Sequence, residues 1–234
     1  MSWSELYLGP GTWILAVLAG AGLGMDSVSW PQIMVSRPIV SATIGGWLLG
    51  NPVAGMLVGT VLEISALQHA PFGAAKYPDT GPAGLVAGAA WAASGGQSVG
   101  ALLVAVAIGW GLGWIGTVTI YVRRRLNERI MSPDSDLAAD PGLLEHRHRI
   151  AIWLDALRGG ILVAAFLVPA VLVVTLAVGT GPSAAGRYAL AALALGLAAS
   201  AGAAARSSAF GVRGWPLILV GAGLGLLLVL GGLS

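Results

Sequence analysis

Seven ionisable side chains lie within or beside apolar segments of this chain: Asp26, Arg37, Glu63, Lys76, Asp79, Asp155 and Arg158. A charge at the centre of a bilayer costs about 2.5–3.5 kcal/mol on insertion scales, so each must find a partner, reach the interface or face a polar cavity. A carboxylate accepts hydrogen bonds from two hydroxyls at once, an amide donates and accepts, and an aromatic ring offers an apolar face to C–H groups. Glu63, Asp26 and Asp79, with Asn51, Gln68 and Tyr77 or Phe72 nearby in sequence, make a set suited to a neutral polyhydroxylated ligand such as a sugar. Lys76 adds a cation beside Asp79. The same charges admit a structural reading, in which Asp26 pairs with Arg37 and Asp79 with Lys76, while the long basic side chains snorkel to the interface. Asp155 and Arg158, three apart at a helix start, read as an intrahelical surface pair.

Composition defines the setting for these groups. Of 234 residues, 56% are apolar and 9% charged, against about 25% charged in a typical soluble domain. Mean hydropathy is +0.84, which excludes an ordinary soluble globular protein. The formal net charge is only +2, so a sequence pI near 9.4 reflects arginines on a nearly neutral chain, not a nucleic-acid surface. With no cysteine there is no disulfide framework, thiol nucleophile or phosphocysteine. His146 and His148 lie in a polar segment without further ligands at metal-binding spacing, so neither a metal nor any other cofactor is expected. The opening residues MSWSELYLGPG lack a basic n-region and a small-residue cleavage site, and the first apolar run is expected to remain in the mature protein.

A helix needs about 20 apolar residues to cross the hydrocarbon core. Five stretches meet that length: Leu6 to Gly24, Gly96 to Val122, Ile152 to Val178, Tyr188 to Ala205 and Trp215 to Leu233. Between the first two, apolar runs are broken by proline, glycine and ionisable residues: Ile39 to Leu49, Val53 to Leu67 with Glu63 inside it, and Leu85 to Ser94. Broken segments at membrane depth are tolerated where their backbone faces protein or a water-filled cavity, as in the binding regions of transporters. The expected fold is an all-α polytopic membrane protein with about five full spans plus broken or re-entrant half-helices between residues 38 and 95. It divides into an N-terminal membrane region carrying the site (1–122), a basic loop (123–150) and a C-terminal three-helix membrane region (151–234).

Arginine placement orients the second half. Six arginines lie between Arg123 and Arg149, one at Arg187, and two between Arg206 and Arg213. The positive-inside rule puts the first and third groups in the cytoplasm. Segment 123–150 is read as a surface loop with a short amphipathic helix. Its residues Arg123, Arg124, Arg125 and Arg129 form a candidate docking surface for a soluble partner, and attraction to anionic lipid accounts for them equally well.

The run SRPIVSATIGGWLLGNPVAGMLVGTVLEISAL, followed by PFGAAKYPDTGPAG, resembles the membrane subunit IIC of the mannose/sorbose class of the bacterial phosphotransferase system. That family has an acidic residue after the first helix, an RP-initiated segment, LGD, a GxxxGxxLE run and an IGAAVPPD-like turn. Here Asp26, Arg37 and Pro38, Leu49 and Gly50, Gly55, Gly59, Leu62 and Glu63, then Gly73, Ala74, Ala75, Pro78 and Asp79 occupy those places in order. The resemblance implies a sugar-translocating subunit of the inner membrane that works with a IID membrane subunit. A soluble IIA/IIB partner would carry the phosphohistidine, and IIC/IID pairs would assemble into an oligomer. Asn51 stands where the family commonly has Asp, Lys76 stands where small or apolar residues are usual, and the chain is shorter than many relatives. The sugar is therefore left open, and a degenerate regulatory homologue is an alternative. So is an ion-coupled secondary transporter with Glu63 as the coupling site. An intramembrane protease fits poorly, because Ser94 in AASGG lacks the first glycine of GxSG and His69 lies in a proline-containing loop.

Overall fold

The computed structural model describes residues 9–66, 77–131 and 140–179. The two C-terminal spans expected from hydropathy, together with Gln68 and Lys76, lie outside the described residues. Among those described, the structure is all-helical: α1 (Pro10–Asp26), α2 (Pro38–Leu48), α3 (Pro52–Ala66), α4 (Thr80–Ala93), α5 (Val99–Ile130) and α6 (Pro141–Leu176), closed by a short 3₁₀ turn at Ala177–Gly179. Four of the six helices begin on proline, whose fixed φ and missing N–H suit the first helical position. The residue before each proline is pushed out of the α region, which is why Arg37 is extended (φ −61°, ψ 138°) and ends the preceding loop.

The interrupted region does form half-helices. α2 has 11 residues, α3 15 and α4 14, or about 16, 22 and 21 Å at 1.5 Å per residue. None reaches the ~30 Å of a hydrocarbon core. α2 and α3 make an antiparallel hairpin around Gly50, whose φ of +81° is a left-handed conformation open to glycine. Asn51 then caps α3, its Oδ1 accepting from the Ala54 N–H at 3.0 Å. α4 is buried on every side from Gly81 to Ala92 and touches α1, α2, α3, α5 and α6, so it is the central post of the bundle. Such a helix needs no amphipathic stripe, which is why alanine and glycine fill it.

α5 and α6, with 32 and 36 residues, are about 48 and 54 Å long and exceed a membrane's thickness. The excess lies at their arginine-rich ends. Segment 123–150 is therefore not mainly a loop: residues 123–130 and 141–150 continue the two helices. Straight-chain Arg, Leu and Glu favour helix there, and Asp140 caps α6 by accepting from the Gly142 and Leu143 N–H groups at 2.8 and 3.3 Å. The boundaries drawn at 122 and 150 fall inside helices.

Small residues set the spacing. A side chain at Gly159 of α6 would come within 2.8 Å of the Gly24 Cα of α1, and one at Gly46 within 2.7 Å of the Gly55 Cα. Lipid supplies no hydrophobic drive for association, so close backbone packing is what holds such helices together. Gly55→Ala would push a methyl group into the Ala42 carbonyl and the Gly46 backbone, whereas Gly22 has open space around it. Chemical unfolding in micelles should show Gly55→Ala destabilised by about 1–3 kcal/mol and Gly22→Ala within about 0.5 kcal/mol of the parent.

Candidate functional site

Asp79 precedes the first residue of α4 and is 1% exposed. Arg158 reaches it from α6, pairing through Nη1 with Asp79 Oδ2. The same guanidinium donates to Thr119 Oγ1 of α5 at 3.2 Å and, through Nη2, to the Gly24 carbonyl of α1 at 3.0 Å. Ser27 donates to the other Asp79 oxygen at 3.1 Å. One ion pair thus joins α1, α4, α5 and α6. A second buried pair lies beside it: Arg123 of α5 stands 3.4 Å from Asp155 of α6 and also donates to Asn127 Oδ1 and to the Ala151 carbonyl.

These partners differ from the pairings read in the sequence. Asp155 and Arg158 are buried and do not form a surface pair with each other. At i,i+3 they share the inward face of α6, where each meets an opposite charge from another helix. Asp26 is not paired with Arg37 either. Its carboxylate accepts from the Ile33 and Ser36 N–H groups at 2.7 and 2.9 Å, folding the 27–37 loop back over the end of α1. Gln32 and Met34 of that loop have positive φ (58° and 67°), and such backbone persists where its surroundings over-determine it. Arg37 instead pairs with Glu63, whose second oxygen accepts from the Ile39 N–H at 3.3 Å in the first turn of α2.

The loop, the C-terminal ends of α1 and α3 and the N-terminal ends of α2 and α4 meet around a cavity of about 510 Å³. Asp26, Ser27, Ser36, Arg37, Tyr77 and Arg124 bring polar groups to its wall. The Tyr77 hydroxyl donates to the Ser27 carbonyl at 3.4 Å, and Thr117 of α5 donates to the Tyr77 carbonyl at 2.8 Å. Of the residues singled out in the sequence as sugar contacts, Asp26 and Tyr77 line the cavity directly. Asp79 lies behind Ser27, and Glu63 acts on the wall through Arg37. Asn51 sits at the far end of α3, about 22 Å away along the helix, and does not join them. Arg123 is buried in its pair with Asp155 and is withdrawn from any outer surface, while Arg125 and Arg129 are exposed. Sequence reasoning missed the linking roles of Arg158, Arg123 and Thr117. The one available signal was that Asp155 and Arg158 follow α6's basic end into an apolar run.

Residues 11–206 match the family model of the PTS system sorbose-specific IIC component. The chain belongs to that family. Among curated IIC relatives, the PTS system mannose-specific EIIC component of Escherichia coli (strain K12) is 31% identical over 170 residues, covering 71% of this chain and 57% of the relative. The PTS system sorbose-specific EIIC component of Lacticaseibacillus casei is 36% identical over 67 residues, 29% of this chain and 24% of the relative. The match to the E. coli protein therefore spans little more than half of its length. A solved chain titled "Structure of membrane protein" superposes on this IIC chain with a TM-score of 0.65 at 23% identity, covering 97% of this chain and 94% of that one. That likeness shows a shared membrane-protein fold.

Removing one member of a buried pair leaves an uncompensated charge, which typically costs about 3–5 kcal/mol. Arg158→Met should lower stability by that order in thermal unfolding, and adding Asp79→Leu should recover a substantial part of the loss. A double variant as unstable as the sum of its singles would mean that the two side chains act independently.

Proposed function

We propose that this chain is the sugar-translocating IIC permease subunit of a mannose/sorbose-class phosphotransferase system, a transport subunit whose phosphoryl chemistry belongs to cytosolic IIA/IIB partners. The carrying observation is the polar cavity where the ends of α1 and of the three half-helices converge, in a chain of this family. At about 510 Å³ it falls in the ~300–1,000 Å³ range of small-molecule sites. Asp26 and Tyr77 are the proposed contacts for sugar hydroxyls. Each Asp26 oxygen keeps a lone pair beyond its backbone bond. Glu63 holds Arg37 in place at the wall, and Asp79 holds Ser27. Gln68 and Lys76 are proposed as further contacts from the segment between α3 and Tyr77.

The basic ends of α5 and α6 supply the orientation. Under the positive-inside rule the cavity opens toward the cytoplasm, as delivery to a cytosolic kinase subunit requires. Arg125 and Arg129 are the proposed docking residues for IIB. We infer a multi-pass protein of the bacterial inner membrane that works beside a IID subunit, with IIC/IID pairs forming an oligomer.

Uptake of labelled hexoses by vesicles carrying the chain with its IID, IIB and IIA partners tests the reading. Uptake should require phosphoenolpyruvate and survive a protonophore; uptake that needs a gradient and no phosphoenolpyruvate would assign a secondary carrier instead. Glu63→Gln should leave membrane levels intact and lower uptake at least about tenfold, the equivalent of 1.4 kcal/mol. Parental uptake in that variant would remove the Arg37–Glu63 pair from the site.

A further inference from the structure

Charges at the cavity are nearly all answered locally. Arg37 is paired with Glu63, and the Asp26 oxygens accept from two backbone N–H groups. Asp79, behind Ser27, is neutralised by Arg158. Arg124 is different. Sequence reading grouped it with its neighbours as a docking residue, yet it lines the cavity wall, half-buried, with its guanidinium 5.9 Å above the Tyr121 ring. Among the described residues no carboxylate forms an ion pair with it. An aromatic face stabilises and orients a guanidinium without consuming its in-plane donors. Those donors form a fork that matches the oxygens of a phosphate. The N-terminal ends of α2 and α4 open on the same space and add positive potential.

We propose that the cavity binds the phosphomonoester of a small polyol, with Arg124 gripping the phosphoryl group while Asp26 and Tyr77 face the hydroxyls. This deepens the reading above, from which the identity of the polyol as a phosphorylated sugar is taken; the anion subsite itself stands on the geometry of Arg124. The wall would then hold the neutral sugar on arrival and its phosphate ester before release. Arg124 would discriminate between the two through a charge that the neutral sugar does not meet.

The test uses the full chain in nanodiscs of zwitterionic lipid, titrated with mannose, mannose 6-phosphate and inorganic phosphate. Mannose 6-phosphate should bind at least tenfold more tightly than mannose. Arg124→Gln should abolish that surplus, weakening mannose 6-phosphate far more than mannose, and Arg124→Lys should restore only part of it. Arg149→Gln, which removes the same charge from the exposed basic end of α6, should leave the surplus unchanged. Equal affinity for the two sugars, or equal loss in Arg149→Gln, would overturn the proposal. So would stabilisation that appears only when phosphatidylglycerol is added and is indifferent to mannose 6-phosphate, because the anion would then be a lipid headgroup. Phosphate-dependent binding through Arg124 in a chain that supports no sugar uptake would sustain the anion subsite and remove the permease reading. Uptake without the surplus would do the reverse.

Discussion

Burial of the Asp79–Arg158 pair organises the helix bundle. A guanidinium and a carboxylate taken out of water need further hydrogen bonds to offset the lost hydration, and here those partners come from other helices, with only Arg158 Nε of the pair buried without one. Gly24 supplies a carbonyl from α1, Thr119 a hydroxyl from α5, and Ser27 a donor from the loop beyond α1. Satisfying the pair therefore brings the end of α1 and the start of α4 to one level of the bundle. The α2–α3 hairpin packs against α4 from the side, so its two open ends arrive at the same level. The cavity is the space left where these ends meet.

Glycine makes that arrangement possible, because each of these charges sits where backbones come close. The bare Gly24 and Gly159 surfaces let α1 and α6 approach, and a side chain at Gly116 would run into Asp79 itself. Packing and electrostatics are here one design: small residues allow Arg158 to reach across a short gap, and the ion pair then locks the spacing that the small residues permit.

Much of this was legible in the sequence. Prolines at helix starts and apolar runs shorter than a membrane located α2, α3 and α4 to within two residues at most ends, with α4 beginning earlier than its apolar run. The acidic residues at 26, 63 and 79 do gather around the loop end of the bundle. What could not be read was which charge answers which. A spacing of three residues places Asp155 and Arg158 on one face of α6 and says nothing of the neighbour that face meets. The run Arg123, Arg124, Arg125 shows the same limit: successive residues turn by about 100°, so the three point in different directions. One is buried against Asp155, one lines the cavity and one is exposed. A loop would have left them equivalent; helix continuing to Ile130 does not.

The proposed sugar site beneath the 27–37 loop would open on the arginine-rich side of the membrane. Because the chain contains no cysteine, a single Ser36→Cys variant reports on that space alone. Its rate of reaction with a membrane-impermeant maleimide should be measured in oriented vesicles, with Arg149→Cys marking the basic side. Labelling should occur from the Arg149 side, slowed severalfold by a transported hexose and unaffected by a non-substrate polyol. Labelling from the opposite side, or a rate indifferent to every hexose that the complex takes up, would rule out a sugar site in that space.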